Sequence, residues 1–314
     1  MMYPHPPPSP DERHAASRRT ALRVGVGVAA GVLLLPGCRP PDPADDGKLI
    51  ILTSIAPLDG LVRPLLPEGA EVRTLVPVGA SPHAHVLTAG DARLINTADL
   101  VVMVGMGLEG RVDQYLRERR PDRAVFMSEL VDAGGSADAH LWLDPGLCEA
   151  FVLALPGRLA PILGEDAAVI AARAERHAAH IREVDAEVRE MLAPFAGEAI
   201  AVAHDAWSRF TQRYGLRVAG VVRTDGVHEP TPGEFAEVVR AVREQGVGVV
   251  FTEPQIESGE ARRLAQTAGI RLGTLDPLGG GDWSALMRNN AAEIVRQLTL
   301  ARRARENADQ PRQP

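Results

Sequence analysis

The amino-acid sequence predicts an α/β protein with two lobes, each built on a parallel sheet, joined by one long rigid helix. Short apolar segments alternate with helical segments in two separate sets along the chain. Between the sets, residues 165–193 form a helical stretch that contains neither Gly nor Pro. The length of 314 residues leaves roughly 100–150 residues for each lobe, which is enough for two real cores. Strands that alternate with helices favour parallel sheets.

The N-terminal 37 residues are predicted to be a signal peptide. A basic segment, Ser17–Arg23, precedes an apolar run from Val24 to Leu35, and the sequence Leu35-Pro36-Gly37-Cys38 follows. The run is too short to span a bilayer as a permanent anchor. Leu-Pro-Gly-Cys resembles a bacterial lipobox, which predicts that Cys38 carries the lipid and that residues 38–47 form a tether. The Arg18-Arg19 pair is compatible with twin-arginine export as well as with ordinary secretion, and both remain open.

The N-terminal lobe is predicted to span residues 48–164. Its apolar, β-branched segments predict four strands, and the segments between them have helical patterns. The predicted strands are residues 49–53, 71–76, 100–104 and 124–127, and the predicted helices are residues 58–66, residues 91–97 and a segment that ends at Tyr115.

The linking helix is predicted over residues 165–194 and the C-terminal lobe over residues 195–306. The helix would be roughly 40 Å long at 1.5 Å per residue. The second lobe repeats the alternation, and residues 307–314 are a polar tail. Its predicted strands are residues 198–203, 216–222, 247–252 and 270–275, and its predicted helices are residues 205–213, 233–244, 257–268 and a last one from residue 283.

The composition excludes several classes of protein. With 45% hydrophobic and 24% charged residues, the chain is neither wholly disordered nor a multi-span membrane protein. The net charge of −7 and the absence of a basic stripe argue against nucleic-acid binding. The chain has two cysteines. If Cys38 carries a lipid, Cys148 has no partner for an intramolecular disulfide, and we expect it to be a buried small hydrophobe.

Four polar residues follow predicted strands or precede a predicted helix, at the edge where ligands bind in parallel sheets. His204 and Asp276 come directly after strands of the second lobe, and His83 lies in the loop after the second strand of the first lobe. His140 precedes a helix that begins near Pro145. A single histidine after a strand is more often an ordinary loop residue than a ligand, so these positions alone do not identify a site.

Eight short motifs, in order along the chain, resemble one known family. They are Thr53–Leu58, Pro77–His83, Ala98–Val102, Gly107–Gly110, Asp138–Pro145, His204–Trp207, Glu253–Gln255 and Leu275–Gly279. The ordered set resembles the zinc/manganese substrate-binding lipoproteins of ABC importers, the zinc-uptake and pneumococcal-adhesin-like group. The likeness covers about residues 48–300, almost the whole predicted mature domain.

The resemblance implies a non-catalytic, monomeric, extracytoplasmic protein that holds one divalent metal between its lobes and delivers it to an ABC permease. Carried over by position, the metal ligands are His83, His140, His204 and Asp276. Residues 109–139 contain no His/Asp-rich insertion, so no auxiliary capture loop is expected. Trp142 and Trp207 adjoin ligand positions and are expected to hold the imidazoles in place. Because a continuous helix resists bending, we expect small movements of the lobes.

Zinc is the expected metal, with manganese as the alternative. Three imidazoles and one carboxylate suit four-coordinate zinc, whereas manganese prefers oxygen ligands and higher coordination numbers. In the resemblance, His204 stands where manganese-type members more often have a carboxylate. The remaining histidines of the predicted mature domain, His85, His177, His180 and His228, are expected to be solvated rather than ligating.

Two other functions remain to be weighed. A zinc hydrolase would need three protein ligands, an activated water and a general base. The sequence contains no HExxH motif, and no Glu is obviously placed as a base. An adhesin or surface protein is the second alternative, but no repeat supports it. Binding of about one metal ion per chain, without hydrolysis of esters, phosphates or peptides, would favour transport over catalysis.

Overall fold

A four-stranded parallel sheet forms the first lobe in the computed structural model, which describes residues 48–223 and 230–309. Its strands are β1 (Ile50–Thr53), β2 (Glu71–Thr74), β3 (Leu100–Met103) and β4 (Ala124–Phe126). They lie in the order β2-β1-β3-β4, and each neighbouring pair is parallel. All four residues of β3 are buried, because helices cover both faces of such a sheet.

Six helices belong to the first lobe, and local capping explains where two of them begin. Thr88 and Asp91 form a reciprocal capping box at the start of α2. Asp144 accepts a hydrogen bond from the backbone N of Gly146 and caps α5, with Pro145 in the first turn. The helices are α1 (Ala56–Val62), α2 (Ala89–Thr97), α3 (Arg111–Arg119), α4 (Met127–Leu130), α5 (Pro145–Ala154) and α6 (Pro156–Leu163).

One helix, α7 (Ala167–Leu192), has 26 residues and runs between the two sheets in the sequence. Asp166 caps its N-terminus through the backbone N of Ala168. Its buried residues recur at intervals of three or four, which gives one apolar face. That face packs against α5 and α6 of the first lobe and against α11 of the second.

The second lobe repeats the topology of the first. Its strands are β5 (Ala199–His204), β6 (Arg217–Arg223), β7 (Val249–Thr252) and β8 (Arg271–Thr274), all parallel in the order β6-β5-β7-β8. The chain leaves β5 toward β6 on one side and returns to β7 on the other. The ends of β5 and β7 therefore lie at a point where strand order reverses, which is where ligands bind in such sheets. Its helices are α8 (Ser208–Arg213), α9 (Pro232–Glu244), α10 (Gly259–Ala268) and α11 (Trp283–Asp309).

The predicted fold class is confirmed, since two parallel sheets flank one long helix. The sequence did not predict α6, whose Pro156 and Pro161 read as helix breakers. Pro156 stands at the first position of the helix, where a missing N–H costs nothing. At the other end of the chain, α11 continues to Asp309, three residues into the predicted polar tail.

Several predictions concern parts of the chain outside the described residues. These are the signal peptide at residues 1–37, the tether at residues 38–47 with Cys38, and His228. Within the described residues, no single helix has the length and apolar character to cross a membrane. Helices α5 and α6 would meet that requirement only as a bent pair, by length and composition alone.

Candidate metal centre

Three histidines from distant parts of the chain meet at one point. His83 lies in a 3-10 turn, Pro82–Ala84, after β2, and His140 directly precedes a second such turn, Leu141–Leu143. His204 is the last residue of β5. One ring nitrogen from each lies within 4.8 Å of the others, and the described residues contain no second group of three such ligand types. The ring centroids are 4.9 to 5.4 Å apart.

The histidines lie between a small cavity and a wider cleft. His140 and His204 are only 5% and 4% exposed, whereas His83 is half-buried. On one side they line a cavity of about 10 Å³ together with Trp142 and Glu253, roughly the room of one water molecule. On the other side they line a cleft of about 570 Å³. A small ion therefore has both an enclosed space and an approach to it.

Carboxylates orient two of the three imidazoles. Asp138 Oδ1 lies 2.8 Å from His140 Nδ1 and also accepts the backbone N–H of His140. Glu253 Oε2 lies 3.3 Å from His204 Nδ1. An Nδ1 that donates to a carboxylate leaves Nε2 with its lone pair, which is the form that binds metals. In the centre, His140 Nε2 lies 3.3 Å from His83 Nε2.

Asp138 is an ionised partner for His140. Burial by itself would raise the pKa of Asp138, but the hydrogen bonds from His140 and the positive charge of Arg209 hold that pKa below its ordinary value. A charged carboxylate makes the imidazole of His140 a better electron donor to a metal.

Two tryptophans adjoin the histidines, as the sequence positions suggested. The ring of Trp142 lies 5.2 Å from that of His140, and its Nε1 donates to the carbonyl of Pro277. Trp207 Nε1 donates to Glu253 Oε1 at 3.0 Å, so Trp207 holds the carboxylate that orients His204.

Cys148 is buried, and burial raises the pKa of its thiol well above the ordinary value.

Asp276, the fourth predicted ligand, is not part of the three-histidine group. Its Oδ1 accepts hydrogen bonds from Gln255 Nε2 at 2.8 Å and from the backbone N of Leu278 at 3.0 Å. Gln255 lines the small cavity with the histidines. Asp276 therefore does not line the cavity itself but is hydrogen-bonded to Gln255, which does.

Two of the other histidines are less exposed than predicted. His85 lies against Asp91, with Nε2 and Oδ2 3.1 Å apart and a side chain only 12% exposed. His177 is buried on α7, at a cleft that it lines together with Gly60 of α1 and Trp283 of α11, and burial lowers its pKa to about 4. The expectation of a solvated His177 is wrong, because helix periodicity does not show which face a neighbouring helix covers. His180 is half-buried, and its Nε2 lies 2.9 Å from Ser284 Oγ.

Sequence reasoning assigned no role to Asp138 or Glu253, although both lie in the motifs that it singled out. Asp138 stands two residues before His140, and Glu253 comes directly after β7, beside the end of β5. An acidic residue at either place is a signal that could have been used, because a ligating histidine commonly has a carboxylate on its second nitrogen.

Comparisons with known proteins show which family and fold the chain is similar to. A family model described as zinc-uptake complex component A, periplasmic (ZnuA), matches residues 51–297. The chain is 24% identical over 275 residues to the high-affinity zinc uptake system protein ZnuA of Yersinia pestis, covering 76% of this chain and 86% of that protein. It is 23% identical to the manganese-binding lipoprotein MntA of Halalkalibacterium halodurans, covering 85% and 95% of the two chains. The fold is similar to that of the periplasmic zinc-binding protein TroA of Treponema pallidum, with a TM-score of 0.72, 22% identity and coverage of 80% and 99%.

Proposed function

Since this chain belongs to the family of periplasmic zinc-uptake complex component A proteins, we propose that it captures one divalent metal ion with His83, His140 and His204. The ion is the cargo, which the protein delivers to the membrane permease of an ABC importer. The family is one of transport components rather than enzymes, so the hydrolase alternative has no support from the comparisons.

The observation that carries this proposal is the three-histidine group with its two carboxylates. Each of His140 and His204 has a carboxylate on Nδ1, which leaves Nε2 as the donor to the ion. Ordinary buried histidines have no need to converge within 4.8 Å of one another. Three imidazoles alone leave one position of a tetrahedral zinc site open.

Asp276 is the proposed fourth ligand. A metal ion in the small cavity would compete with Gln255 and Leu278 for its carboxylate, and a charged ligand for a dication is the stronger partner. The loop after β8 would then close on the ion. Asp276→Asn should weaken zinc binding while leaving one ion per chain, and unchanged affinity would remove Asp276 from the ligand set.

Zinc is the proposed cargo, and manganese is the alternative. Among the relatives, the Yersinia pestis protein is named for zinc and the Halalkalibacterium halodurans protein for manganese. Three nitrogen donors favour zinc, which also stands above manganese in the general order of affinities. Competition titration of the metal-free protein tests this directly. Manganese that displaces zinc at equal concentration would overturn the assignment, and His204→Glu should move the preference toward manganese.

The family is periplasmic, and we propose that this chain is held at the membrane as a monomer by a lipid on Cys38. The lipobox-like sequence ending at Cys38 supports the anchor, and one relative is itself named a lipoprotein. In the native host the protein should separate with membranes, and Cys38→Ser should release it or block its processing. A wild-type protein that is fully soluble with a free Cys38 thiol would contradict the anchor.

A further inference from the structure

In one short segment of the first lobe, Asp138–Asp144, every second residue contacts the second lobe. Asp138 contacts Arg209, and His140 contacts His204. Trp142 donates to the carbonyl of Pro277, and Asp144 pairs with Arg213. The segment from Asp138 to Asp144 therefore forms part of the interface between the two lobes, and His140 lies within it.

Arg209 makes the most extensive of these contacts. It stands on α8 in the second lobe, only five residues after His204, and its side chain is 11% exposed. Its Nε and Nη2 donate to the backbone carbonyl of Asp138 at 3.1 and 2.9 Å, and Nη2 also donates to the carbonyl of Ala133 at 3.4 Å. Its Nε lies 3.4 Å from Asp138 Oδ2.

Asp138 thus lies between a cation of the second lobe and an imidazole of the first. Its Oδ1 holds His140 Nδ1, while its Oδ2 has no hydrogen bond and faces the guanidinium of Arg209. Any movement of α8 away from the first lobe would remove both the charge and the backbone anchor from Asp138.

We propose that Arg209 is a positioning residue through which the second lobe orients His140, so that metal affinity depends on contact between the lobes. This inference rests on the proposed metal-binding function. When the lobes are together, Arg209 holds Asp138, and Asp138 holds Nε2 of His140 toward the ion. When a permease shifts α8 slightly away from the first lobe, Arg209 moves with it, His140 loses its fixed orientation, and the ion leaves.

Arg213 is a matched control on the same helix. It lies one turn beyond Arg209 and also reaches the first lobe, with Nη1 2.9 Å from Asp144 Oδ1. Its Nε and Nη2 donate to Asp185 on α7. Asp144 contacts none of the three histidines in the hydrogen bonds and ion pairs of the described residues. Loss of Arg213 therefore tests the effect of a broken lobe contact without a link to the metal.

The experiment measures zinc affinity by chelator competition, and the melting temperature of the metal-free protein, for Arg209→Gln and Arg213→Gln. We expect Arg209→Gln to weaken zinc binding about tenfold, through faster dissociation, as is usual for groups that orient a metal-bound histidine. Arg213→Gln should lower the melting temperature and leave the affinity within about twofold of wild type.

A double mutant separates positioning from general stability. In an Asp138→Ala background, Arg209→Gln should cost much less affinity than in the wild type, because the carboxylate through which it acts is gone. Arg209→Lys keeps the positive charge but loses the paired hydrogen bonds of the guanidinium, so its zinc affinity should lie between those of the wild type and Arg209→Gln. It serves in place of Arg209→Gln if that variant does not fold. Wild-type affinity in both Arg209 variants, or fully additive losses, would overturn the inference. A wild-type protein that binds no zinc would instead overturn the proposed function.

Discussion

At the scale of single residues, two carboxylates set the chemistry of the site, because each contacts the second ring nitrogen of a histidine. Asp138 and Glu253 do not belong to the three-histidine group, yet each occupies the Nδ1 of a histidine in it. By doing so they select the tautomer whose Nε2 can bind a metal. We therefore expect the affinity of the site to depend on Asp138 and Glu253 as well as on the three histidines.

His83 and His85 are two residues apart but differ in their surroundings, which makes them a matched pair. His83→Ala removes a proposed ligand and should weaken zinc binding by more than about 100-fold, beyond the usual cost of a lost orienting group. His85→Ala breaks only the contact with Asp91 and should change the affinity far less. Chelator competition measures both, and equal losses would show that His83 is not a ligand.

At the scale of elements, helices from both lobes cover α7. Helix α1 and the start of α11 approach each other so closely there that Gly60 has no room for a side chain. A Cβ at Gly60 would lie 2.6 Å from the carbonyl oxygen of Gly281 and 2.7 Å from the backbone N of Trp283. Because Gly60 has no side chain, α1 of the first lobe can contact the start of α11 of the second lobe.

Gly60→Ala should therefore destabilise the protein by about 1–3 kcal/mol, the usual cost of overpacking. Gly157 is the control, because it is an exposed helical glycine where an added Cβ would meet no other side chain within 4 Å. Gly157→Ala should be neutral or stabilise by up to about 1 kcal/mol, since alanine favours helix. Urea unfolding of both variants measures the difference, and equal stabilities would contradict the close approach.

The burial of His177 on α7 makes stability depend on pH. Its pKa in the folded protein is about 4, below the ordinary histidine value of about 6.5. Between these values the unfolded chain binds a proton that the folded chain does not, so stability falls as the pH drops from about 6.5 to 4. The loss should reach up to about 3 kcal/mol at the lower end.

His177→Gln should remove this part of the pH dependence from the metal-free protein. The neighbouring His180→Gln keeps His177 in place and should therefore retain most of it. Urea unfolding at several pH values between 4 and 7 measures the slope for each variant. A slope for His177→Gln identical to that of the wild type would mean that folding does not shift the pKa of His177.

On the scale of the whole molecule, one apolar core extends through both lobes. Ile51 of β1, Val184 of α7 and Ile200 of β5 all belong to it, and the described part of the chain is one compact unit. Separation of the lobes would expose part of this core, which costs free energy. The small lobe movement expected from the sequence is compatible with this packing and stays a prediction.

Metal binding should stabilise the whole molecule, because His83 and His140 come from one lobe and His204 from the other. At about a thousandfold excess of free zinc over Kd, the gain is about 4 kcal/mol. Histidines must be neutral to bind a metal, so the gain should shrink as the pH falls below about 6. Melting curves with zinc and with a chelator at about pH 7.5 measure it. Equal melting temperatures would exclude a site shared between the lobes.

The fold class could be predicted from the sequence because its signals are local. Alternating apolar strands, helix caps and a stretch without Gly or Pro act between neighbours in the chain, and they led to two parallel sheets around one long helix. Ordered motifs marked His83, His140 and His204 through a family resemblance, and the structure brings these three together.

The arrangement around the histidines was decided only by the tertiary structure. His204 and Glu253 are 49 residues apart in the chain, and Trp142 and Pro277 are 135 apart. No local pattern links such residues, since their contact depends on the order of strands in the sheet and on how closely the lobes pack. For the same reason the sequence did not show that Asp276 bonds to Gln255, that His177 is buried, or that Arg209 reaches across to Asp138.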